Sequence, residues 1–218
     1  MPFELPTKHN LVPAGPSAAA YHRPNHTEPL TNGEIHMTEP CEETIRIWHP
    51  DGREHQLTVL FASSPAGAVI GAVYVGGTDP TDPGETVARW TATYESPMNG
   101  DPGHVWIGNG RIDLEIESLR GIGIGSLLML PLVRWAKERP CNVTVVPINL
   151  AGSDADTEAK RCIRNRFYEK LGFVFNYEDD GQTFGKARKM PVSELITPDF
   201  KMSRGWQVAS LSATGKVF

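Results

Sequence analysis

One continuous stretch, Arg111 to Arg139, changes its period half-way, and no other segment restricts the fold so strongly. From Ile112 to Glu117 apolar and charged residues alternate, with Ile112, Leu114 and Ile116 set against Asp113, Glu115 and Glu117. This two-residue period predicts a strand with one covered face. After Gly125 the apolar positions become Leu127, Leu128, Leu132, Trp135 and Ala136, the spacing of an amphipathic helix. Gly121, Gly123 and Gly125 lie between, alternating with Ile122 and Ile124. A strand that turns through glycines into a helix suits an anion. The first amides of a helix have no internal partner, its dipole is positive there, and glycines let a phosphate approach the backbone.

Before this stretch the chain reads as antiparallel strands. TIRIW and QLTVLFAS form a hairpin across Asp51-Gly52, AVIGAVYVGG is a buried third strand, and TVARWTATYES alternates as a fourth. HVWIGNG leads into the organising strand, with Gly108 and Gly110 at a bend. Residues 1–40 are rich in proline, lack an apolar period and read as a flexible arm. The alternative for them is an arm that clasps a partner subunit in a homodimer.

The helix over about Gly123–Arg139 carries Pro131 in its interior and is closed by Pro140. NVTVVPINL follows as a strand. Its Pro147 marks an edge, a bulge or a point where the strand parts from its neighbour. Ser153–Thr157 offers N-caps for a second helix, with Ala159, Ile163, Phe167 and Leu171 as its apolar stripe and Gly172 as its stop. Lys160, Arg161, Arg164, Arg166 and Lys170 form its polar side, a solvated face that could also meet a phosphate. FVFNYE and GKARKMPVSEL read as two closing strands around Asp179-Asp180-Gly181. Residues 198–218 form a C-terminal extension, either a peripheral strand or a loose tail. Residues 41–197 then constitute one domain.

With 218 residues, 39% hydrophobic and 22% charged, the chain can bury one substantial core. A net charge of -5 argues against general affinity for nucleic acid. No apolar run approaches the roughly 18 residues of a membrane span, and no basic-then-apolar leader opens the chain. Cys41, Cys141 and Cys162 are odd in number and lack a CxxC spacing, which predicts neither a disulfide framework nor a zinc site. A cytoplasmic protein without membrane partners is the expectation. No histidine lies beyond His104, so no metal site is expected at the glycine turn.

Arg120-Gly121-Ile122-Gly123-Ile124-Gly125 resembles the R/Q-x-x-G-x-G/A signature of the GNAT superfamily of acyl-CoA-dependent N-acyltransferases. Arg166-Phe167-Tyr168-Glu169-Lys170-Leu171-Gly172-Phe173 is similar to the family's second hallmark, on the following helix. The two motifs, one strand apart, cover about residues 104–190. The resemblance implies an α/β (α+β) fold with a mixed, mostly antiparallel twisted sheet, flanking helices and a V-shaped splay at which Pro147 sits. It implies acetyl-CoA as cosubstrate, with the pyrophosphate on Arg120, Gly121, Ile122, Gly123, Ile124, Gly125 and Ser126. The pantetheine arm would run along Ile116, Glu117, Ser118 and Leu119 as an added strand. Tyr168 would contact the cofactor and protonate the leaving thiolate. An acceptor amine of unknown class would lose its proton to a carboxylate, with Glu115 the first candidate and Glu117 the second.

The chain also departs from the family pattern. Ile122 stands where many relatives carry a basic residue, and Arg161 where they carry Asn. A hairpin replaces the usual first two helices, so the family's acceptor pocket does not carry over. A dinucleotide-binding oxidoreductase fits less well, because Ser126 occupies the third glycine of G-x-G-x-x-G and the preceding strand alternates. A catalytically silent GNAT-like module that binds acyl-CoA or a protein is the remaining alternative.

Overall fold

The computed structural model describes residues 40–108, 114–154 and 156–211. The N-terminal arm up to residue 39, the beginning of the organising strand with Ile112 and Asp113, and residues 212–218 lie outside them. The described chain is a mixed α+β fold with a large, mostly antiparallel open sheet. It contains two α-helices.

Four long strands make the first half: β1 (Cys41–Trp48), β2 (Glu54–Ser64), β3 (Gly67–Gly77) and β4 (Thr86–Glu95), each antiparallel to the next. The expected hairpin at Asp51-Gly52 is present and no helix interrupts it. β5 (His104–Ile107) pairs antiparallel with β4. On the buried face of β3 and β4 lies α1 (Ile124–Lys137). Leu127, Leu128, Leu132 and Trp135 are buried there with Ile70 and Trp90. Pro131 sits inside α1 as expected and removes the bond to the Leu127 carbonyl. Burial of each leucine contributes about 1.5–3 kcal/mol, which together outweighs the roughly 3 kcal/mol cost of an interior proline. The helix is further tied down where Trp135 Nε1 donates to Ser64 O at 2.8 Å and Lys137 Nζ to Leu195 O at 2.6 Å.

The strand after α1 is broken at Pro147. β6 (Thr144–Val145) lies parallel to β5 in the large sheet, while β7 (Asn149–Leu150) belongs to a three-stranded sheet with β8 (Phe175–Tyr177) and β9 (Gly185–Ala187). The last closing strand is divided in the same way, since β10 (Met190–Pro191) returns to the large sheet beside β6. Register is nevertheless kept across the break: Val145 faces Met190 and Asn149 faces Lys186. A two-stranded ribbon is therefore continuous past Pro147, and what it leaves behind is β5. Val146 N–H still reaches Val105 O at 2.9 Å. Beyond it the parallel ladder stops.

The second helix, α2 (Glu158–Glu169), starts at Thr157, whose hydroxyl accepts from Lys160 N–H. It ends in a Schellman pattern, with Phe173 N–H bonded to Tyr168 O and Gly172 N–H to Glu169 O. Its expected apolar stripe is only partly buried. Leu171 is covered and Phe167 half-covered, but Ala159 and Ile163 face outward. Asn165 is the buried member of the helix. The expected solvated basic face is also corrected at Arg164, whose guanidinium donates to the carbonyls of Ala151, Gln182 and Thr183 and so ties α2 to the small sheet. Asn165 Nδ2 adds a bond to Gln182 O.

The C-terminal extension adopts the peripheral-strand form. β11 (Gln207–Ser210) adds an antiparallel edge strand to β1. Just before it, Trp206 is buried against the ring of His55, centroids 5.5 Å apart and nearly parallel. His55 is only 2% exposed, and among the described residues neither ring nitrogen has a hydrogen-bond partner. Its surroundings are Tyr74, Trp206 and, by charge, Asp79, Glu54 and Arg53. Burial disfavours the charged ring most and lowers its pKa from 6.5; Arg53 acts in the same direction, while Asp79 and Glu54 oppose it. Between the two pKa values the unfolded chain binds the extra proton, so stability must rise with pH in that window. Unfolding free energy should therefore fall as pH drops below about 6.5 and keep falling until the folded ring protonates. Denaturant titrations of wild type and His55→Phe between pH 7.5 and about 5 check this: the variant should show a shallower slope, by up to one proton. Equal slopes would mean that His55 titrates alike in both states.

Candidate functional site

The glycine turn comes out as a helix start with open donors. Gly121 and Gly123 have φ of 72° and 112°, in the region that side chains avoid, and Gly123 is the N-cap of α1. Among the described residues nothing accepts a hydrogen bond from the amides of Gly121, Ile122, Gly123, Ile124 or Gly125. Ser126 differs from expectation, because its amide donates to Gly123 O at 3.0 Å and is no longer available. Ile122 and Ile124 are buried, so they can offer only backbone groups to a ligand.

The approach to the turn is less regular than its alternation predicts. Gly108 N–H bonds Thr91 O in β4, and Glu115 N–H bonds Val87 O in the same strand. An unbroken register from Ala92↔Ile107 would have put residue 112, not Glu115, opposite Val87. Leu114 and Ile116 are buried while Glu115 and Glu117 are exposed, as the alternation requires. The expected strand is not formed over its described part, because Leu114–Ile116 belongs to no strand. Glu117–Leu119 is a 3₁₀ turn, with Leu119 N–H on Ile116 O and Arg120 N–H on Glu117 O. Arg120 Nε caps Leu114 O at 2.7 Å, and Ser118 Oγ donates to Asp79 Oδ2 at 2.9 Å. With these carbonyls occupied, Ile116–Leu119 is not an open strand edge.

Among the described residues an open edge lies one strand segment earlier. Because Gly108 bonds toward β4, the backbone groups of Ile107 face the opposite side, where the parallel ladder to β6 has ended. The edge and the glycine turn belong to the same run of chain.

Tyr168 lies on α2 in an aromatic cluster, its ring 5.2 Å from Phe167 and 6.0 Å from both Phe173 and Phe175. Phe167 reaches across to the turn. A side chain starting at Gly125 would come within 3.3 Å of the Phe167 ring and 4.0 Å of Trp90. Ile163, 38% exposed, stands 3.4 Å from the corresponding position at Gly121. The turn is thus faced by α2.

On the other side a segment of the C-terminal extension is strapped to the turn. Ser203 N–H donates to Ile122 O at 2.9 Å and Ser203 Oγ to Gly121 O at 2.8 Å. Lys201 O lies 2.8 Å from where a Cβ on Gly123 would be, which excludes any other residue there. Ser203, Asp79 and Asn165 were not foreseen from the sequence, nor were the carbonyls that Arg164 meets. Only Arg204-Gly205 carries a turn signal, and a turn signal does not say what the turn will touch.

Comparison with family models, curated proteins and solved structures gave no match to this chain. Among the described residues no helix is long and apolar enough to cross a membrane.

The packing at Gly125 has a direct consequence. Gly125→Val should drive methyls into Phe167 and lower the unfolding free energy by about 1–3 kcal/mol without any ligand. Adding Phe167→Ala should return part of that loss in a double-mutant cycle by denaturant titration. Gly125→Val unfolding at the wild-type midpoint would disprove the contact.

Proposed function

We propose that this protein is a GNAT-type N-acetyltransferase that moves an acetyl group from acetyl-CoA to a primary amine by direct attack. The observation that carries the reading is the row of unsatisfied amides from Gly121 to Gly125 at the start of a buried helix. A pyrophosphate is a ligand such donors suit. The paired motifs around Gly121–Gly125 and Arg166–Phe173 support the same reading. So does the parting of the ribbon from β5 at Pro147, which suits a V-shaped splay. With Ile116–Leu119 folded into a turn, Ile107 is the better backbone partner for an extended pantetheine arm.

In the proposed reaction the neutral amine forms a bond to the thioester carbonyl carbon and the carbon–sulfur bond breaks. Glu115, or Glu117 through water, accepts the amine proton. Both carboxylates are exposed, and the Glu115 backbone is fixed to β4. Tyr168 delivers a proton to the departing sulfur, from a ring held by Phe173 and Phe175. The hairpin β1–β2 stands where the family has acceptor-side helices, so the amine is bound by surfaces peculiar to this chain.

Acetyl-CoA should raise the melting temperature, and a panel of amines should yield at least one that releases free thiol. Stabilisation without free thiol from any amine would instead identify a silent binding module. With an accepted amine, Tyr168→Phe should leave acetyl-CoA affinity nearly intact and lower kcat by about 10²–10⁴-fold, the range of a general acid. Turnover of that variant within about threefold of wild type would remove Tyr168 from the acid's role.

A further inference from the structure

The strap, Lys201–Trp206, is tied at both ends. At one, Ser203 N–H and Oγ donate to the carbonyls of Ile122 and Gly121. At the other, Trp206 is buried against His55, and β11 leads away from it along β1. The two ends respond differently to acid, because a backbone carbonyl does not titrate near neutral pH and an imidazole does. A neutral imidazole carries one N–H donor, a charged one two. Neither form finds a partner at His55 among the described residues. Leaving a neutral ring unpaired there costs far less than burying a charged one.

The charged and titratable groups around the ring are committed elsewhere. Next to it on β2, Glu54 is paired with Arg46 at 2.6 Å. In the loop after β3, Asp79 Oδ1 accepts from the Thr81 hydroxyl at 2.6 Å and Oδ2 from Ser118 Oγ at 2.9 Å. Tyr74 of β3 meets the ring edge-on, and its hydroxyl donates to Asp79 O at 3.3 Å. Arg53, just before β2, lies over Trp206 at 5.0 Å and disfavours a charge on His55. His49 also packs on Trp206, but its two nitrogens lie 3.0 Å from Arg204 O and 2.8 Å from Asp51 Oδ1, so a proton on it is accommodated. The elements over His55 are not equally firm. β2 is held by long ladders on both sides, whereas Trp206 is held by a four-residue edge strand and the bonds of the strap. The less bonded segment opens first.

We infer that His55 is a pH-sensitive latch: when it takes up a proton, Trp206 leaves the ring, the strap opens, and the carbonyls of Gly121 and Ile122 lose the donors of Ser203. The latch does not depend on the acyl-CoA reading. It makes the order of the glycine turn a function of pH. Its sign follows from linkage. The opened ring binds its proton near 6.5 and the closed ring lower, so closure is strongest above about 6.5 and weakens as pH falls.

The experiment is native-state hydrogen exchange of the full chain by NMR between about pH 7.5 and 5, corrected for the intrinsic pH dependence of exchange. The amides of Ser203 and Trp206, bonded to Ile122 O and Ser203 O, should be less protected than those of β2 and β3. Their protection should fall by up to about thirtyfold by pH 5, the ratio for one proton bound near 6.5 in the open state. His55→Phe keeps a ring under Trp206 without the proton, so its strap protection should stay within about threefold over that range. His49→Gln should respond as wild type does. Trp206→Ala gives a second readout should the Phe variant not fold: the His55 ring should titrate at higher pH in it than in wild type. A wild-type strap whose protection changes less than about threefold, an equal fall in His55→Phe, or a response lost in His49→Gln would overturn the latch. So would strap amides that open only together with β2 and β3, or an unchanged His55 titration in Trp206→Ala.

Discussion

A proline has no amide to give, and the division of this fold into two sheets centres on the place where that lack falls. In the ribbon formed by β6–β7 with β9–β10, Pro147 stands opposite Arg188, whose own amide turns to Val174 O, just before β8. The ribbon tolerates one missing rung because its register resumes unchanged on the far side. The parallel ladder with β5 does not resume. Parallel pairing is slightly weaker per residue, and here it extends over only His104–Val105 before it stops. The small sheet, α2 and the aromatic cluster around Tyr168 therefore sit on a ribbon that has left β5 with an open edge.

The second dependence is between the turn and the strap. A glycine turn alone would leave its peptide planes free to rotate, so its donors would be averaged over many directions. The carbonyls of Gly121 and Ile122 are instead bonded to one residue far away in sequence, Ser203. That residue is in turn placed by Trp206 on His55 and by β11 on β1. The order of the donors at the start of α1 thus comes from the opposite end of the chain.

The first-half strands, the hairpin at Asp51-Gly52, both helices and the break at Pro147 were all legible, because each depends on local period or on a backbone rule for Gly and Pro. What was not legible depended on contacts between distant residues. The alternation Leu114–Glu117 correctly gave burial, yet not hydrogen bonding. A 3₁₀ turn at Glu117–Leu119 satisfies its own carbonyls, and period alone does not reveal that. The polar side of α2 looked solvated because a helical wheel does not show that Arg164 would meet three carbonyls of another segment. The Ser203 strap had no signal at all, since a serine in an aperiodic segment is consistent with almost any environment.

The three glycines of the motif illustrate how one pattern can answer to several constraints. Gly121 needs its positive φ, Gly123 needs both its φ and the absence of a Cβ against Lys201 O, and Gly125 makes room for Phe167. Two of these needs would exist if nothing ever bound here: the close approach of the strap and the packing of α2 on α1. Glycine spacing is therefore poor evidence for a ligand taken alone. The open amides are better evidence, because the fold gains nothing by leaving donors unpaired. Strap and helix together satisfy the carbonyls of Gly121 to Gly123 but not the amides of the turn. An unpaired donor at a helix start is tolerated in water, but five in succession, from Gly121 to Gly125, are what the proposed phosphate ligand would need.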